Sequence, residues 1–283
     1  MTPATRKVRE LGQFFTPRPV VDFALDALAV FGARIDDATL IDPACGPGEW
    51  LAGGLQAGAA TACGVDCDPE MIGAWQAAGL TSNADCMLSV ADSLDPHLAA
   101  SGRFDLVVGN PPFGARLADR SEGDLREIAS HYRLFGKQSD SNSLREPTAA
   151  DLERLRRFPT ELLFLERFVE LARDGGWIAI ILPAGVMANS RWKHARSWLL
   201  DALTIHAAIA LPRATFRAHS TTASTCLLLM HKRPASPDHR VALAGVEDCS
   251  AESLQKLLRA CEDGSIVANA PPEGLLPPPL FRR

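Results

Sequence analysis

Thr39 to Pro69 reads TLIDPACGPGEWLAGGLQAGAATACGVDCDP. "TLIDPACG" (39–46) is a short apolar strand running into a Gly/Pro turn, and "GEWLAGGLQAG" (48–58) follows as a helix. "ATACGVDCDP" (60–69) is a second strand ending in two acids. A strand, a helix and a strand at this pitch make a βαβ unit, whose two strands must lie parallel. The same rhythm extends outward. "RPVVDFALDALAVF" (18–31) has apolar residues at helical spacing, with Pro19 suited to a first turn. "PEMIGAWQAAG" (69–79) is a further helix, and "DCMLSVADSL" and "FDLVVGNPPF" are two more strand-then-loop units. "WIAIILP" (177–183), "IHAAIALP" and "TASTCLLLMHK" supply later strands, with a helix at "RWKHARSWLLDAL". The pattern predicts an α/β fold: a mostly parallel twisted sheet with helices on both faces.

Residues 114–160 interrupt the rhythm. They are rich in Ser and Asp, with nine Lys/Arg against eight Asp/Glu between Arg116 and Arg157, and read as a long charged loop or lid. The helix "ELLFLERFVELARDGG" (161–176) has one apolar stripe, Leu162, Leu165, Phe168, Leu171 and Ala172, and its glycines stop it. Beyond Arg233 prolines intervene before one more strand, "VALAGV", and one more helix, "AESLQKLLRACEDG". The predicted organisation is an N-terminal helical segment (1–36), a core (37–232) containing the 114–160 loop, and a C-terminal extension or linker (233–283).

Four predicted strand ends carry unusual chemistry: Asp42–Gly48, Asp66–Asp68, Asp92 and Asn110–Phe113. In an open parallel sheet, ligands bind outside the carboxyl ends of the strands where strand order reverses. Gly46 and Gly48 allow close backbone approach, and an acid ending the second strand is placed to hold a ribose diol. "DPACGPGEW" is not GxGxxG and has no Lys-Ser/Thr to hold phosphates, so a nucleoside ligand without phosphate fits better. In "NPPF", Pro111 keeps Asn110 out of the helical region, and neither proline has an N–H to donate. The rigid turn therefore offers acceptors, the Asn110 side-chain oxygen and the Pro111 carbonyl, while Phe113 offers a flat face. Two converging acceptors and a ring suit an exocyclic amine on a planar base.

Composition narrows the classes. The chain has 283 residues, 47% hydrophobic and 22% charged, with net charge −5, so any contact with phosphate must use a local basic face. Arg191, Lys193, Arg196, Arg213 and Arg217, all in segments following core strands, are the candidates. No apolar run reaches the roughly 20 residues of a membrane span. Seven scattered cysteines suit a reducing cytoplasm better than a disulfide framework. Cys63 and Cys67 have a loose metal-ligand spacing, but no second pair follows and the histidines form no HxxxH motif, so no metal site is expected.

"DPACGPG" followed by "NPPF" resembles the S-adenosylmethionine-dependent amino-methyltransferases, most closely the adenine-specific (N6) DNA methyltransferases. "ELGQFFTPRPVVDFALDAL" is similar to the cofactor motif that precedes the glycine motif in the gamma-ordered group, which includes modification subunits of type I restriction systems. "FVELARDGGWIAIILPAGVM" and "IALPRATFRAHSTTASTCLLLM" resemble that group's later core strands. The resemblance implies S-adenosylmethionine as cofactor, with Phe14, Phe15 and Thr16 around its methionine part. Asp42, Ala44 and Gly46 would form the loop beneath it, Asp66 would hold the ribose hydroxyls, and Asp92 would bond the adenine amine. Asn110, Pro111, Pro112 and Phe113 would hold the target base. The substrate implied is DNA, in a restriction-modification or related system. Such enzymes have a target-recognition domain or a specificity subunit; neither is seen in this sequence, so a specificity subunit or a missing target-recognition domain is expected. Amino-methyltransferases of ribosomal RNA guanine and of protein glutamine share Asn-Pro-Pro turns and stay open as alternatives, as does a non-catalytic subunit of a DNA modification complex.

Overall fold

The computed structural model of the chain describes residues 14–98, 102–115, 117, 120–136, 146–216 and 224–263. Strands β1 (Thr39–Asp42), β2 (Thr61–Asp66), β3 (Cys86–Val90), β4 (Phe104–Gly109), β5 (Ala172–Pro183), β6 (Thr204–Leu211), β7 (Thr225–His231) and β8 (Ala242–Gly245) form one sheet. Their order is β3-β2-β1-β4-β5-β7-β6-β8. Every neighbouring pair is parallel except those of β7, which runs antiparallel to β5 and β6. The expected mostly parallel sheet is therefore present. The chain lays β1, β2 and β3 outward in one direction and then returns to place β4 on the other side of β1. Strand order reverses between β1 and β4, which opens a crevice at their carboxyl ends, at Asp42 and Asn110.

Alternation along the central strands builds two cores. Leu40, Leu106, Val108, Trp177, Ala179 and Ile181 point into a layer made by helices α1 (Arg18–Val30), α2 (Glu49–Gln56), α3 (Met71–Ala77) and α10 (Ala251–Glu262). Ile41, Val107, Ile178, Ile180 and Leu182 point to the other face. There they meet α4 (Glu122–His131), α5 (Arg133–Gly136), α6 (Ala149–Leu155), α7 (Thr160–Leu171), α8 (Ala184–Ala188) and α9 (Lys193–Ala202). Neighbours on a strand therefore serve opposite cores, so central strands read as unbroken apolar runs. Each such side chain contributes about 1.5–3 kcal/mol by leaving water.

Three features depart from the pattern predicted by the sequence. The described part of residues 114–160 holds α4, α5 and α6. Ser121 caps α4 by accepting the Asp124 N–H, and Thr148 with Asp151 forms a capping box on α6. Their apolar residues, Leu125, Ile128, Leu134, Phe135, Leu152 and Leu155, enter the second core. Helix α7 is accordingly buried on nearly every side, Glu166 and Arg167 included, rather than along one stripe. Finally, β5 starts at Ala172, five residues before "WIAIILP", and bulges between its pairings with Phe104 and Leu106. The helix has already ended before Gly175 and Gly176. Toward the C-terminus, β8 extends the sheet beside β6, and α10 packs on α1 in the first core.

Candidate functional site

Strand β1 delivers Asp42 into the crevice with only 1% of its surface exposed. One carboxyl oxygen accepts the Ala44 N–H at 2.9 Å, and the other is buried without a hydrogen-bond partner. Gly109 on the adjacent β4 makes this possible: at φ 152°, a Cβ there would stand 2.5 Å from the Asp42 carboxyl. Burial, with Asp66 adding to it, pushes the Asp42 carboxyl up to about 8. The loop after β1 is fastened from the next strand. Asp66 accepts the Gly46 N–H at 2.8 Å and the Asp68 N–H at 2.9 Å, and the Trp75 indole donates to the Gly46 carbonyl at 2.7 Å. The Phe15 ring lies against Gly46, 3.0 Å from where a Cβ would stand. Asp66 thus fixes the shape of the loop, and burial raises its carboxyl as well.

From β4, Asn110 enters the same crevice. Its Nδ2 donates to the Phe14 carbonyl, while its Oδ1 is buried with no partner. The Phe113 ring is 6% exposed and stacks on Phe14, with centroids 4.5 Å apart and planes at 16°. Phe216 stands edge-on to both rings at 6.5 and 6.4 Å. The Thr160 hydroxyl at the start of α7 donates to the Pro112 carbonyl at 3.2 Å and holds the turn from behind.

One cleft joins these groups. Phe14, Phe15, Thr16, Asp42, Ala44, Gly46, Asp66, Asp92, Asn110 and Pro112 all line it. Pro111 and Phe113 do not; Phe14, on whose ring Phe113 stacks, does. Asp92 accepts the Leu94 N–H at 3.0 Å and forms an ion pair with Arg120, which comes from the 114–160 region. Arg120, Trp50, Thr160 and Phe164 line the cleft without having been singled out from sequence. Thr160 and Phe164 lie one turn apart on α7, where apolar spacing signals core rather than site. Arg120 lies in a charged stretch with nothing to distinguish it. The Trp50 indole donates to Thr16 at 3.4 Å and so ties the glycine loop to the N-terminal segment.

The basic candidates divide. Arg191 and Lys193 follow β5, Arg213 follows β6, and all three are exposed at the sheet end that bears the cleft. Arg196 is 8% exposed and donates to the Val186 carbonyl at 3.0 Å and the Asn189 carbonyl at 2.8 Å. It fastens α8 to α9 and is not free to meet a phosphate. Arg217 lies outside the described residues.

The lining chemistry selects a ligand class. Among the described residues, Asp42, Glu49, Asp66 and Asp92 line the cleft, and Arg120 is the one arginine that does. Phosphates would be repelled, whereas a cationic nucleoside fits, with aromatic and apolar surface from Phe14, Phe15 and Phe164. A sheet of this order with an acid-lined cleft at its switch point defines a methyltransferase-type Rossmann-like fold. Residues 81–257, more than half of the chain, match the family model of N-6 DNA methylases, and the chain belongs to that family.

Solved structures agree on the fold. A modification subunit of a type I restriction enzyme assigned in Vibrio vulnificus superposes with a TM-score of 0.63 at 19% identity, covering 93% of this chain and 56% of that one. The methyltransferase subunit of a type I restriction-modification system from Streptococcus thermophilus gives 0.63 at 22%, covering 88% and 53%. A candidate class I S-adenosylmethionine-dependent methyltransferase of Listeria monocytogenes gives 0.64 at 20%, covering 88% and 71%. Among curated proteins, the Defense against restriction protein B of Escherichia phage P1 is 23% identical over 258 residues, 87% of this chain. The chain spans only 9% of that protein's length and about half of the two type I subunits.

Proposed function

We propose that this chain transfers the methyl group of S-adenosylmethionine to the exocyclic amine of adenine in DNA, within a restriction-modification or related system. The observation that carries the reading is the Asn110 Oδ1, a buried acceptor without a partner on a residue that lines an acid-lined cleft. A buried polar atom left unsatisfied costs about 1–3 kcal/mol. It is therefore kept for a donor that arrives with the substrate.

The residues would divide the work as follows. Asp42, Asp66 and Asp92, with Phe15 and Phe164, would hold the cofactor, and Asp42 would ionise as positive charge reaches it. The bound cofactor supplies a sulfonium-activated methyl group. Asn110 Oδ1 would accept a hydrogen bond from the N–H of the target amine, draw its lone pair out of conjugation and aim it into the cleft. A duplexed adenine would first be flipped out, at a cost of a few kcal/mol, offset in part by the stacked Phe14–Phe113 rings. Arg191, Lys193 and Arg213 would meet the nucleic-acid backbone, and a DNA-reading partner or domain would choose the sequence.

The test is methyl uptake from labelled cofactor into adenine-containing DNA by the protein together with its specificity partner. Asn110→Ala should abolish transfer while leaving cofactor binding in place. Near-wild-type turnover in that variant would refute the reading. Label appearing in ribosomal RNA or in a glutamine peptide, and not in DNA, would move the activity to those substrates.

A further inference from the structure

We infer that Phe14 is a positioning residue for the base-capture step: its main-chain carbonyl sets which end of the Asn110 amide faces the substrate, and its ring anchors that carbonyl. The inference rests on the function proposed above, where Phe14 contributes only its ring to the stack with Phe113, and adds a role for its main-chain carbonyl.

An asparagine amide presents a donor at one end and an acceptor at the other, in nearly the same shape. To engage an amine it must offer the acceptor; turned over, it would offer an N–H₂ and repel the target. Nothing within the turn makes that choice, because Pro111 and Pro112 have no N–H to pair with Oδ1. The choice comes from 96 residues upstream in sequence, where the Phe14 carbonyl accepts from Nδ2. Inverting the amide would set two buried acceptors against each other, so Phe14 holds Oδ1 toward the cleft.

The carbonyl is itself held from two sides. The Phe14 ring lies flat on Phe113 and edge-on to Phe216. Two residues on, Thr16 receives the Trp50 indole. The stack on Phe113 thereby links the ring of the catalytic turn to the orientation of the amide three residues earlier in the same turn. The adjacent Phe15 packs on Gly46 in the glycine loop, so one short segment bridges the cofactor side and the base side of the cleft.

The decisive experiment follows the Asn110 side-chain amide directly, in full-length protein labelled with nitrogen-15 asparagine. Its paired proton signals are identified by their loss in Asn110→Ala. Phe14→Leu fills the volume without a flat ring and should move those signals toward free asparagine and speed their exchange with water, while Phe14→Tyr should preserve them. In methyl transfer at saturating cofactor, Phe14→Leu should lower kcat by roughly tenfold or more, the scale of a mispositioned reacting group, with recovery in Phe14→Tyr. Unchanged amide signals in a folded Phe14→Leu protein would overturn the positioning role. A wild-type protein that transfers no methyl group even with its specificity partner present would overturn the function instead, and the amide signals would still decide the role of Phe14.

Discussion

Desolvation, aided by Asp66 and only partly opposed by the Ala44 N–H, pushes the Asp42 carboxyl up to about 8. At neutral pH without ligand it is therefore mostly protonated, and it ionises when a cation settles beside it. Affinity for S-adenosylmethionine should rise as pH increases toward 8 and level off above it, by up to about tenfold per pH unit. Asp42→Asn keeps an acceptor for Ala44 and should flatten this dependence; calorimetry across pH 6 to 9 checks both. The sign for stability is opposite. A carboxyl with a raised folded pKa stabilises the ligand-free fold at low pH and loses that contribution as pH rises through about 8, so Asp42→Asn should raise the melting temperature of the ligand-free protein at pH 8. The identity of Asp42 as a site residue is legible in "DPACG"; its protonation is not, because that depends on Gly109 admitting the carboxyl beside β4.

At the scale of elements, the helices between β4 and β5 depend on Glu166. Its two carboxylate oxygens accept the Arg133 and Leu134 N–H groups, each at 2.8 Å, at the start of α5, and the side chain is 2% exposed. Tyr132, at the junction of α4 and α5, donates its hydroxyl to the Leu94 carbonyl at 3.2 Å, and Arg120 pairs with Asp92. The region beside the cleft is thus stitched to the loop after β3. Glu166→Ala removes both charge-assisted bonds, each worth about 1.5–3 kcal/mol. It should speed amide exchange and proteolysis around residues 122–136 well before the sheet opens, as hydrogen-exchange mass spectrometry would show. Equal protection in the mutant would mean that apolar packing alone holds these helices. Sequence reading placed a loop here because charged residues outnumber apolar ones locally. The apolar minority suffices once α7 offers a second buried face, and that face is a tertiary fact.

At the scale of the molecule, the two ends of the sheet differ in character. The carboxyl ends carry acids and the cleft. The opposite end gathers Trp177, His206, His231 and His239, with Trp177 stacked on His231 at 4.2 Å and His206 4.8 Å from Trp177. Burial, with His239, His231 and Arg233 nearby, pushes His206 down from 6.5 to about 4. A depressed histidine stabilises the fold fully above pH 6.5 and loses that contribution as pH falls toward 4. His206→Phe should blunt the acid-induced drop in denaturation midpoint between pH 6.5 and 4. An identical profile would place the acid sensitivity elsewhere.

The sequence by itself determined the βαβ alternation, the parallel character of the sheet and the four strand ends where chemistry collects, because period, turn residues and strand-terminal acids are local properties. It also marked the Asn110 turn as poor in donors, since the two following prolines have no N–H, but which end of the Asn110 amide faces the cleft is set by the Phe14 carbonyl. Only the tertiary structure decided that Phe14 and Phe113 stack, that Arg120 meets Asp92, and that Arg196 is spent on helix ends. Each of these pairings joins residues on different elements. Their distance in space depends on how the whole sheet and its two helix layers close, which no local pattern encodes.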